Sequence, residues 1–217
     1  MSLKIFYSHS PFWRAEVLRV SLFLADIQFE DIRISTEEFR EVIFTGKLKG
    51  KIEIPFNQLP VLEVDGKIIG QTGAIARYCG KLSNLYPKDD FLAAKVDQII
   101  DTATDITNLI SPTIREKDNI IKKKMRERLA NKLLPRWFNY LENILQKEEN
   151  SKWFVDNKIS IADIAIWRLL GWVKSGMLDG IPKNICDDYL KLNNINIELN
   201  NHPKIQEWMF KTYGKKI

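Results

Sequence analysis

The spacing of apolar residues over the first eighty or so positions predicts an α/β unit. Short apolar runs alternate with segments of helical period, and this alternation is typical of a mixed sheet covered by helices. The predicted elements are a strand at 3–8, a helix at 12–25, a strand at 29–34, a hairpin with strands at 60–64 and 67–69, and a helix from Thr72 to near Gly80. The order is therefore βαβ, a connector, and ββα.

The sequence predicts one turn and one helix cap of this unit but leaves the structure of its connector open. Asp65-Gly66 lies between the two hairpin strands and is a strong two-residue turn sequence. Thr72 carries a hydroxyl suited to capping the helix that follows it. The polar connector at 35–53 is compatible with an irregular loop or with a short helix around 37–44, and the sequence leaves both open.

After residue 87 the strand alternation disappears and every later segment has a helical period. The predicted helices span 91–111, 119–146, 160–174 and 203–213, with breaks or kinks at Pro112 and Pro135. Ser160 and Asp163 have the spacing of a capping box, which we interpret as a folding feature. The chain thus divides into a mixed domain at 1–81 and an all-helical domain at 88–217.

Composition narrows the function classes. The chain has 217 residues and a formal net charge of +5. Its densest basic run, at 122–128, lies in a helical segment without interleaved aromatic residues, so we interpret it as a solvated helix face rather than a nucleic-acid site. No apolar run is long enough to span a membrane and no signal-peptide pattern follows Met1, so we expect a cytoplasmic protein.

The cysteine content excludes two further classes. Cys79 and Cys186 are too few for a disulfide scaffold, and no CxxC motif or Cys/His cluster accompanies them. We expect both to be buried free thiols and expect no metal site.

Two sequence runs carry a resemblance to a known family. IPFNQLPVLEVDG at 54–66 is followed by QTGAIARY at 71–78, and together they resemble the glutathione-binding core of cytosolic glutathione transferases. RAE at 14–16 and DIQFED at 26–31 resemble the branch of the sigma, mu, pi and alpha classes, and are most like the sigma class, which includes prostaglandin D synthase. The resemblance extends over nearly the whole chain and is loose in its last part.

This resemblance implies a fold and an activity. The fold would be a thioredoxin-like N-terminal domain followed by an all-α C-terminal domain. The enzyme would conjugate the thiolate of glutathione to hydrophobic electrophiles, a detoxification reaction, with glutathione as co-substrate and no other cofactor. Glutathione-dependent isomerisation and a non-catalytic, ligand-binding role on the same fold are the alternatives.

The family's chemistry requires a group that ionises the glutathione thiol. A free thiol titrates near ~8.5, so the site must lower its pKa by roughly one to two units. A hydroxyl that donates a hydrogen bond to the thiolate stabilises only the charged form. Tyr7, Ser8 and Ser10 are the candidates: Tyr7 fits tyrosine-type members if one residue is inserted before Arg14, Ser8 fits without the insertion, and Ser10 matches the Ser-Pro-Phe run of serine-type members. Tyr7 is preferred.

The resemblance also implies how the tripeptide is held. Leu59-Pro60 matches the strand edge and cis-proline that bind the cysteinyl unit, and Gln58 would face its glycyl or cysteinyl part. Gln71 and Thr72 would receive the γ-glutamyl carboxylate at a helix N-terminus. Further substrate contacts are implied for Arg14, which would act on the hydroxyl donor or on the thiolate, and for Phe39.

The chain departs from sigma-like members at the glycyl end of the ligand. Phe39 takes the place of their usual Trp, and Ile43 falls where they carry Lys. An insertion follows that contains Lys47, Lys49 and Lys51, of which one is expected to reach the glycyl carboxylate.

The resemblance implies a homodimer in which an Asp crosses to the partner's ligand. Asp97, Asp101 and Asp105 share one helix face, at i, i+4 and i+8. Asp105 matches the family residue best, with Asp101 as second choice. The electrophile pocket would be formed by the loop after Ser8, by residues 109–115 and by the tail at 208–213.

Overall fold

The computed structural model describes residues 1–148 and 151–214. The strands are β1 (Leu3–Tyr7), β2 (Glu30–Arg33), β3 (Lys47–Leu48), β4 (Ile52–Glu53), β5 (Val61–Val64) and β6 (Lys67–Ile69). The helices are α1 (Glu16–Leu24), α2 (Thr36–Thr45), α3 (Thr72–Leu82), α4 (Asp90–Arg115), α5 (Asn119–Arg128), α6 (Leu134–Lys147), α7 (Ile161–Lys174), α8 (Leu190–Asn200) and α9 (Pro203–Tyr213). The predicted fold class, an α/β domain followed by an all-α domain, is confirmed.

The N-terminal part is built on a four-stranded sheet with the order β2-β1-β5-β6. β1 is parallel to β2 and antiparallel to β5, so the sheet is mixed as predicted. Ile5 of β1 and Leu62 of β5 are register partners with fully buried side chains. The turn between β5 and β6 is made by Asp65 and Gly66, both with positive φ, which is the geometry that this pair favours.

The connector between β2 and the sheet hairpin is ordered. Of its two predicted forms, the short helix is confirmed as α2, and its first turn is closed by a capping box between Ser35 and Glu38. Gly46 ends the helix in the left-handed conformation and donates its N–H to the carbonyl of Val42. A small hairpin, β3–β4, occupies the lysine-rich insertion.

α1 begins four residues later than the sequence predicts. Phe12 lies in the left-handed region, with φ of 62°, and residues 11–15 form turns. The ring of Phe12 packs 5.2 Å from that of Trp167 and fills the space over Gly171, both on α7. The contact between the two parts of the chain therefore replaces the first helical turn that local periodicity favours.

The start of α3 also differs from the prediction. Gln71 occupies the position before the helix with φ of 69°, and Thr72 is the first helical residue. Thr72 therefore does not cap the helix, and its backbone N–H is one of those that a helix start leaves free. α3 ends at Leu82 and α4 begins at Asp90. The domain limits 1–81 and 88–217 stay a prediction.

The helical part contains three differences from the sequence prediction. α4 continues through Pro112 to Arg115, since a proline close to a helix end removes only one hydrogen bond. The segment predicted as one helix at 119–146 is divided into α5 and α6 by a π-helical turn, Leu129–Leu133, and Pro135 lies in the first turn of α6, where its missing N–H costs little. α8 was not predicted, because asparagines interrupt its apolar positions.

The capping box at the start of α7 is confirmed. The Asp163 carboxylate is fully buried and accepts hydrogen bonds from the backbone N–H of Ser160, at 2.7 Å, and of Phe154, at 3.0 Å. Burial raises the pKa of Asp163 to about 6, although these hydrogen bonds act in the opposite direction. The carboxylate fixes the chain entering α7, which forms the centre of the helical part.

A buried carboxylate joins α9 to α1. Glu16 is fully buried and accepts hydrogen bonds from the indole N–H of Trp208, at 2.5 Å, and from the hydroxyl of Tyr213, at 2.6 Å. The guanidinium of Arg19 lies 3.5 Å from the same carboxylate and 3.0 Å from Asp31. Burial raises the pKa of Glu16, while Arg19, Tyr213 and Trp208 lower it. The last helix is thus attached to the first by polar contacts out of solvent.

Replacing Trp208 by Phe should lower the free energy of unfolding by about 1–3 kcal/mol, because the buried Glu16 carboxylate loses a donor while the packing on Phe23 and Phe29 is kept. Denaturant unfolding measures this. Trp137→Phe is the control, since the Trp137 indole N–H has no hydrogen-bond partner in the described part of the chain. Equal losses in the two variants would contradict the role assigned to the Glu16 contact.

Replacing Gly171 by Ala should destabilise the fold by about 1–3 kcal/mol through overpacking, because the new Cβ would lie 2.2 Å from the ring of Phe12. The double variant Phe12→Leu/Gly171→Ala has a smaller side chain over the added methyl group. Thermal unfolding of the two single variants and the double variant should show that their effects do not add. Additive effects would mean that the two side chains do not compete for this space.

Candidate active site

A cavity of about 370 Å³ opens between the sheet domain and the helices. The residues that line it are Tyr7, Trp13, Arg14, Phe39, Gln58, Leu59, Pro60, Gln71 and Thr72 from the N-terminal part, and Thr104, Thr107, Asn108, Ser111, Ile114, Arg115, Arg168 and Trp172 from α4 and α7. Eight of the positions expected from the sequence to bind or activate glutathione therefore lie on one wall. The roles of these residues stay predictions, and the geometry below says what each can do.

Tyr7 lies at the end of β1, at the boundary between the sheet and the cavity. Its ring is buried between two other aromatic side chains, Trp13 at 6.5 Å and Phe39 at 6.4 Å, both in edge-on arrangements. The position at which sigma-like members carry Trp is thus still occupied by an aromatic ring. These contacts fix the direction of the phenol relative to the cavity.

The electrostatic environment of Tyr7 keeps its hydroxyl protonated. Burial is the largest effect and raises the pKa of Tyr7, while the positive charges of Arg14, Arg168 and Arg19 and the Arg14 backbone lower it. The net shift is upward from a value that is already near ~10. At neutral pH the group is therefore a hydrogen-bond donor, as thiolate stabilisation requires.

The two alternative hydroxyls lie elsewhere. Neither Ser8 nor Ser10 lines the cavity. The Ser8 hydroxyl is buried without a hydrogen-bond partner among the described residues, and its carbonyl accepts from Arg19 at 3.1 Å and from Arg33 at 3.4 Å. Of the three candidates that the sequence left open, the structure brings Tyr7 to the cavity.

The peptide-binding candidates form a continuous wall next to Tyr7. The Leu59–Pro60 bond is cis, as the resemblance implied, and both residues line the cavity with Gln58. Gln71 and Thr72 are placed beside them at the N-terminus of α3. A non-glycine residue with φ of 69° is strained by roughly 1–3 kcal/mol, which indicates that Gln71 is held by its surroundings.

Arg14 connects the two walls of the cavity. Its Nη2 donates a 3.0 Å hydrogen bond to the side-chain carbonyl of Asn108 on α4. Burial lowers the pKa of Arg14, Tyr7 raises it and Arg115 lowers it. The guanidinium therefore lies close enough to Tyr7 for each to affect the ionisation of the other.

Arg168 was not identified from the sequence. It is 4% exposed, lines the cavity from α7, and donates a 3.1 Å hydrogen bond from Nη2 to the hydroxyl of Thr107. Its Nε and Nη1 atoms have no partner within residues 1–148 and 151–214. Burial first and Arg14 second lower its pKa to about 10, so it is protonated at neutral pH. The available signal was one arginine inside an otherwise apolar helical run.

The acidic candidates of α4 do not line the cavity. Asp105 is exposed and Asp101 is paired with Arg77 at 2.8 Å; neither lines the cavity. Asp97 accepts from the same guanidinium at 2.7 Å. Any contact of Asp105 with a ligand would have to involve a second subunit, which is how the resemblance placed it.

The lysines of the insertion do not reach the cavity within one chain. Lys47, Lys49 and Lys51 are absent from its lining, and the ammonium group of Lys49 lies 3.5 Å from Glu38. The contact with the glycyl carboxylate thus has no residue assigned by the structure. The C-terminal tail was also misplaced by the sequence prediction: Trp208 and Tyr213 bind Glu16 rather than line the cavity, whereas Ser111, Ile114 and Arg115 of the predicted 109–115 region do line it.

Neither cysteine of the chain lines this cavity. Cys79 and Cys186 are buried free thiols, as predicted, and burial raises the pKa of each to about 12. Within the ranges that the structure describes, no three His, Cys, Asp or Glu side chains are grouped to hold a metal ion, and no helix is long and apolar enough to cross a membrane.

Comparison with known proteins identifies the family. The family description "Glutathione S-transferase, N-terminal domain" matches residues 2–81, and "Glutathione S-transferase, C-terminal domain" matches residues 104–212. Hematopoietic prostaglandin D synthase of Mus musculus is 31% identical over 94% of both chains, and a glutathione S-transferase of Anopheles gambiae is 31% identical over 77% of this chain and 79% of its own. The structure of prostaglandin synthase D of Nilaparvata lugens superimposes with a TM-score of 0.83, at 32% identity, over 97% of this chain and 98% of that one. The chain therefore belongs to the glutathione S-transferase family and is sigma-like within it.

Proposed function

We propose that this glutathione transferase conjugates glutathione to hydrophobic electrophiles and that Tyr7 is the residue that stabilises the thiolate. The observation that carries the proposal is the protonated, buried Tyr7 hydroxyl on the wall of the cavity, flanked by Trp13 and Phe39. A hydroxyl that stays neutral at pH 7 can donate a strong hydrogen bond to a thiolate but only a weak one to a neutral thiol. Binding is thereby coupled to ionisation.

The positive charge around Tyr7 supports the same role. Lowering a thiol pKa by roughly one to two units requires about 1.4–2.7 kcal/mol of preference for the thiolate. A hydrogen bond to a charged group supplies about 1.5–3 kcal/mol. Arg14, whose charge acts on Tyr7, adds to this preference because a guanidinium near the sulfur favours the anion. The two groups together account for the required shift.

We propose that the tripeptide extends along the wall formed by the N-terminal part. The cysteinyl unit would hydrogen-bond to the backbone at Leu59, next to the cis-proline, with Gln58 beside it. The γ-glutamyl carboxylate would lie at the N-terminus of α3, where Gln71 and Thr72 line the cavity and free backbone N–H groups favour an anion. In this orientation the sulfur faces Tyr7 and the helical wall.

We further propose a cytoplasmic homodimer with glutathione as co-substrate and no other cofactor. The exposure of Asp105 outside its own cavity supports a role across a subunit interface, where its carboxylate would meet the γ-glutamyl ammonium of the partner's ligand.

Glutathione-dependent isomerisation is a second candidate. It is supported by the prostaglandin D synthases of several vertebrates, one of which is 31% identical over 94% of this chain. It would use the same thiolate at Tyr7 but would regenerate glutathione at the end of each turnover. If the protein binds glutathione but turns over no electrophile, a non-catalytic, ligand-binding role replaces both candidates.

Tyr7→Phe should lower kcat/KM for 1-chloro-2,4-dinitrobenzene at pH 7 by roughly ten- to a hundredfold, because the thiol pKa returns toward ~8.5 and the thiolate fraction falls. The pH profile should shift upward by the same one to two units. Ser10→Ala is the control and should leave both unchanged. A loss of turnover in Ser10→Ala with full activity in Tyr7→Phe would reassign the donor.

Asp105→Asn should raise KM for glutathione several-fold with little change in kcat, because a partly exposed ion pair across an interface contributes up to about 1 kcal/mol to binding. Steady-state kinetics measures this, and analytical ultracentrifugation of the unmodified chain should show a dimer. Asp90→Asn, which removes an exposed carboxylate at the other end of α4, is the matched control. A monomer with full affinity for glutathione would contradict both the dimer and the role of Asp105.

A further inference from the structure

The helical wall of the cavity carries a positive charge, that of Arg168, for which the proposed glutathione contacts supply no partner. Arg168 is 4% exposed, forms one hydrogen bond, to Thr107, and leaves two nitrogens without a partner in the described part of the chain. A buried charge costs several kcal/mol unless it is paired and hydrogen-bonded. A ligand group of opposite charge would supply the missing pairing.

Two other buried arginines, which do not line the cavity, each lie near a carboxylate. Arg19 is fully buried and has two carboxylate partners, Asp31 at 3.0 Å and Glu16 at 3.5 Å. Arg126, also buried, lies 3.8 Å from the carboxylate of Asp179. Arg168 has no carboxylate partner within residues 1–148 and 151–214, although it is as deeply buried as they are. It is also the one of the three that lines the cavity.

The charge of the cavity as a whole agrees with an anionic ligand. Three of its lining residues are arginines, Arg14, Arg115 and Arg168, and no Asp or Glu from the described residues lines it. Glutathione brings two carboxylates: the γ-glutamyl carboxylate is expected at Gln71 and Thr72 on the opposite wall, and the structure assigns no residue to the glycyl carboxylate. Arg168 and Arg115 instead belong to the helical wall, where the second substrate must approach the sulfur.

The same wall also provides apolar surface for the body of that substrate. Ile114 and Trp172 line it, and Ser111 and Thr107 add hydroxyls near the arginines. A mostly apolar molecule with one anionic end would therefore place its body on Ile114 and Trp172.

We propose that Arg168 determines the specificity for the second substrate, and that the enzyme favours hydrophobic electrophiles bearing a carboxylate, which Arg168 binds. This inference rests on the proposed function, since Arg168 would bind the carboxylate of the electrophile while the glutathione thiolate attacks a different atom of the same electrophile. In the simplest case, an aryl halide, the sulfur lone pair forms the carbon–sulfur bond and the halide leaves with its bonding pair. Arg168 takes no part in the bond changes and acts by binding and orienting the substrate.

A matched pair of electrophiles separates charge from reactivity. 4-Chloro-3,5-dinitrobenzoate and 4-chloro-3,5-dinitrobenzamide have the same shape and leaving group and differ in one negative charge. Comparing the ratio of their kcat/KM values between variants cancels their different intrinsic reactivities. Arg168→Met should lower the benzoate-to-benzamide ratio by roughly ten- to a hundredfold, the effect of removing a charge-assisted hydrogen bond. Arg168→Lys, which keeps the charge, should recover part of the ratio.

Arg126→Met is the matched control, because it removes a buried arginine that does not line the cavity. It should leave the ratio unchanged even if it lowers stability. If Arg168→Met lowers kcat/KM equally for both electrophiles, the guanidinium acts on the thiolate that both reactions share, and the assignment to the second substrate is overturned. An unchanged ratio with normal folding overturns it as well.

Binding to the unmodified chain provides a test that does not depend on any variant. The glutathione conjugates of the two electrophiles are compared by isothermal titration calorimetry, and the carboxylate conjugate should bind roughly tenfold or more tightly. Conjugation of both electrophiles and equal binding of both conjugates would overturn the role of Arg168 while leaving the proposed function intact. If neither electrophile reacts and neither conjugate binds, the proposed function fails and the inference fails with it.

Discussion

The buried carboxylate of Glu16 holds the first helix against the last one, and this first helix also packs on the helical wall of the cavity. α1 packs on α7 and α9, and the loop just before it carries Trp13 and Arg14 to the cavity wall. Glu16 is out of solvent and is bound by donors from Trp208 and Tyr213 at the far end of the sequence. Because α7 belongs to the helical wall, the packing of α1 on α7 joins the two walls, and the Glu16 contact holds α1 in place beside it.

The two walls of the cavity differ in the electrostatic groups that they present to a ligand. On the sheet side, a neutral Tyr7 hydroxyl and the start of α3 offer donors to a ligand that brings its own charges. On the helical side, Arg168 and Arg115 contribute full positive charges among apolar residues. In the proposed binding modes, dipoles bind one substrate and a buried ion binds the other, so each wall would select its ligand independently.

The structure has the expected residues on the peptide wall, but it does not have the expected lysines beside it. The cis Leu59–Pro60 bond and Gln71 are where the family pattern places them. Phe39 keeps an aromatic ring next to Tyr7 in place of the usual Trp, whereas the lysines of the insertion belong to a separate hairpin, β3–β4. The backbone and helix-end positions of the family pattern thus line the cavity, whereas the long side chains of the insertion do not.

Features that depend on local pattern could be predicted from the amino-acid sequence alone. Period-two and helical spacing predicted the sheet and most helices, and the Asp65-Gly66 pair predicted the turn. The peptide wall was implied by the resemblance of the runs around Gln58 and Gln71 to a known family. The remaining features depend on contacts between residues that are far apart in the chain. Tyr7, rather than Ser8 or Ser10, lines the cavity, and the left-handed turn at Phe12 that follows packs on Gly171, a residue distant in the sequence. The local sequence around Arg168 is that of an ordinary helix and does not distinguish this residue. Its burial and its lack of a carboxylate partner among the described residues depend on neighbours distant in the chain, so they are visible only in the folded molecule.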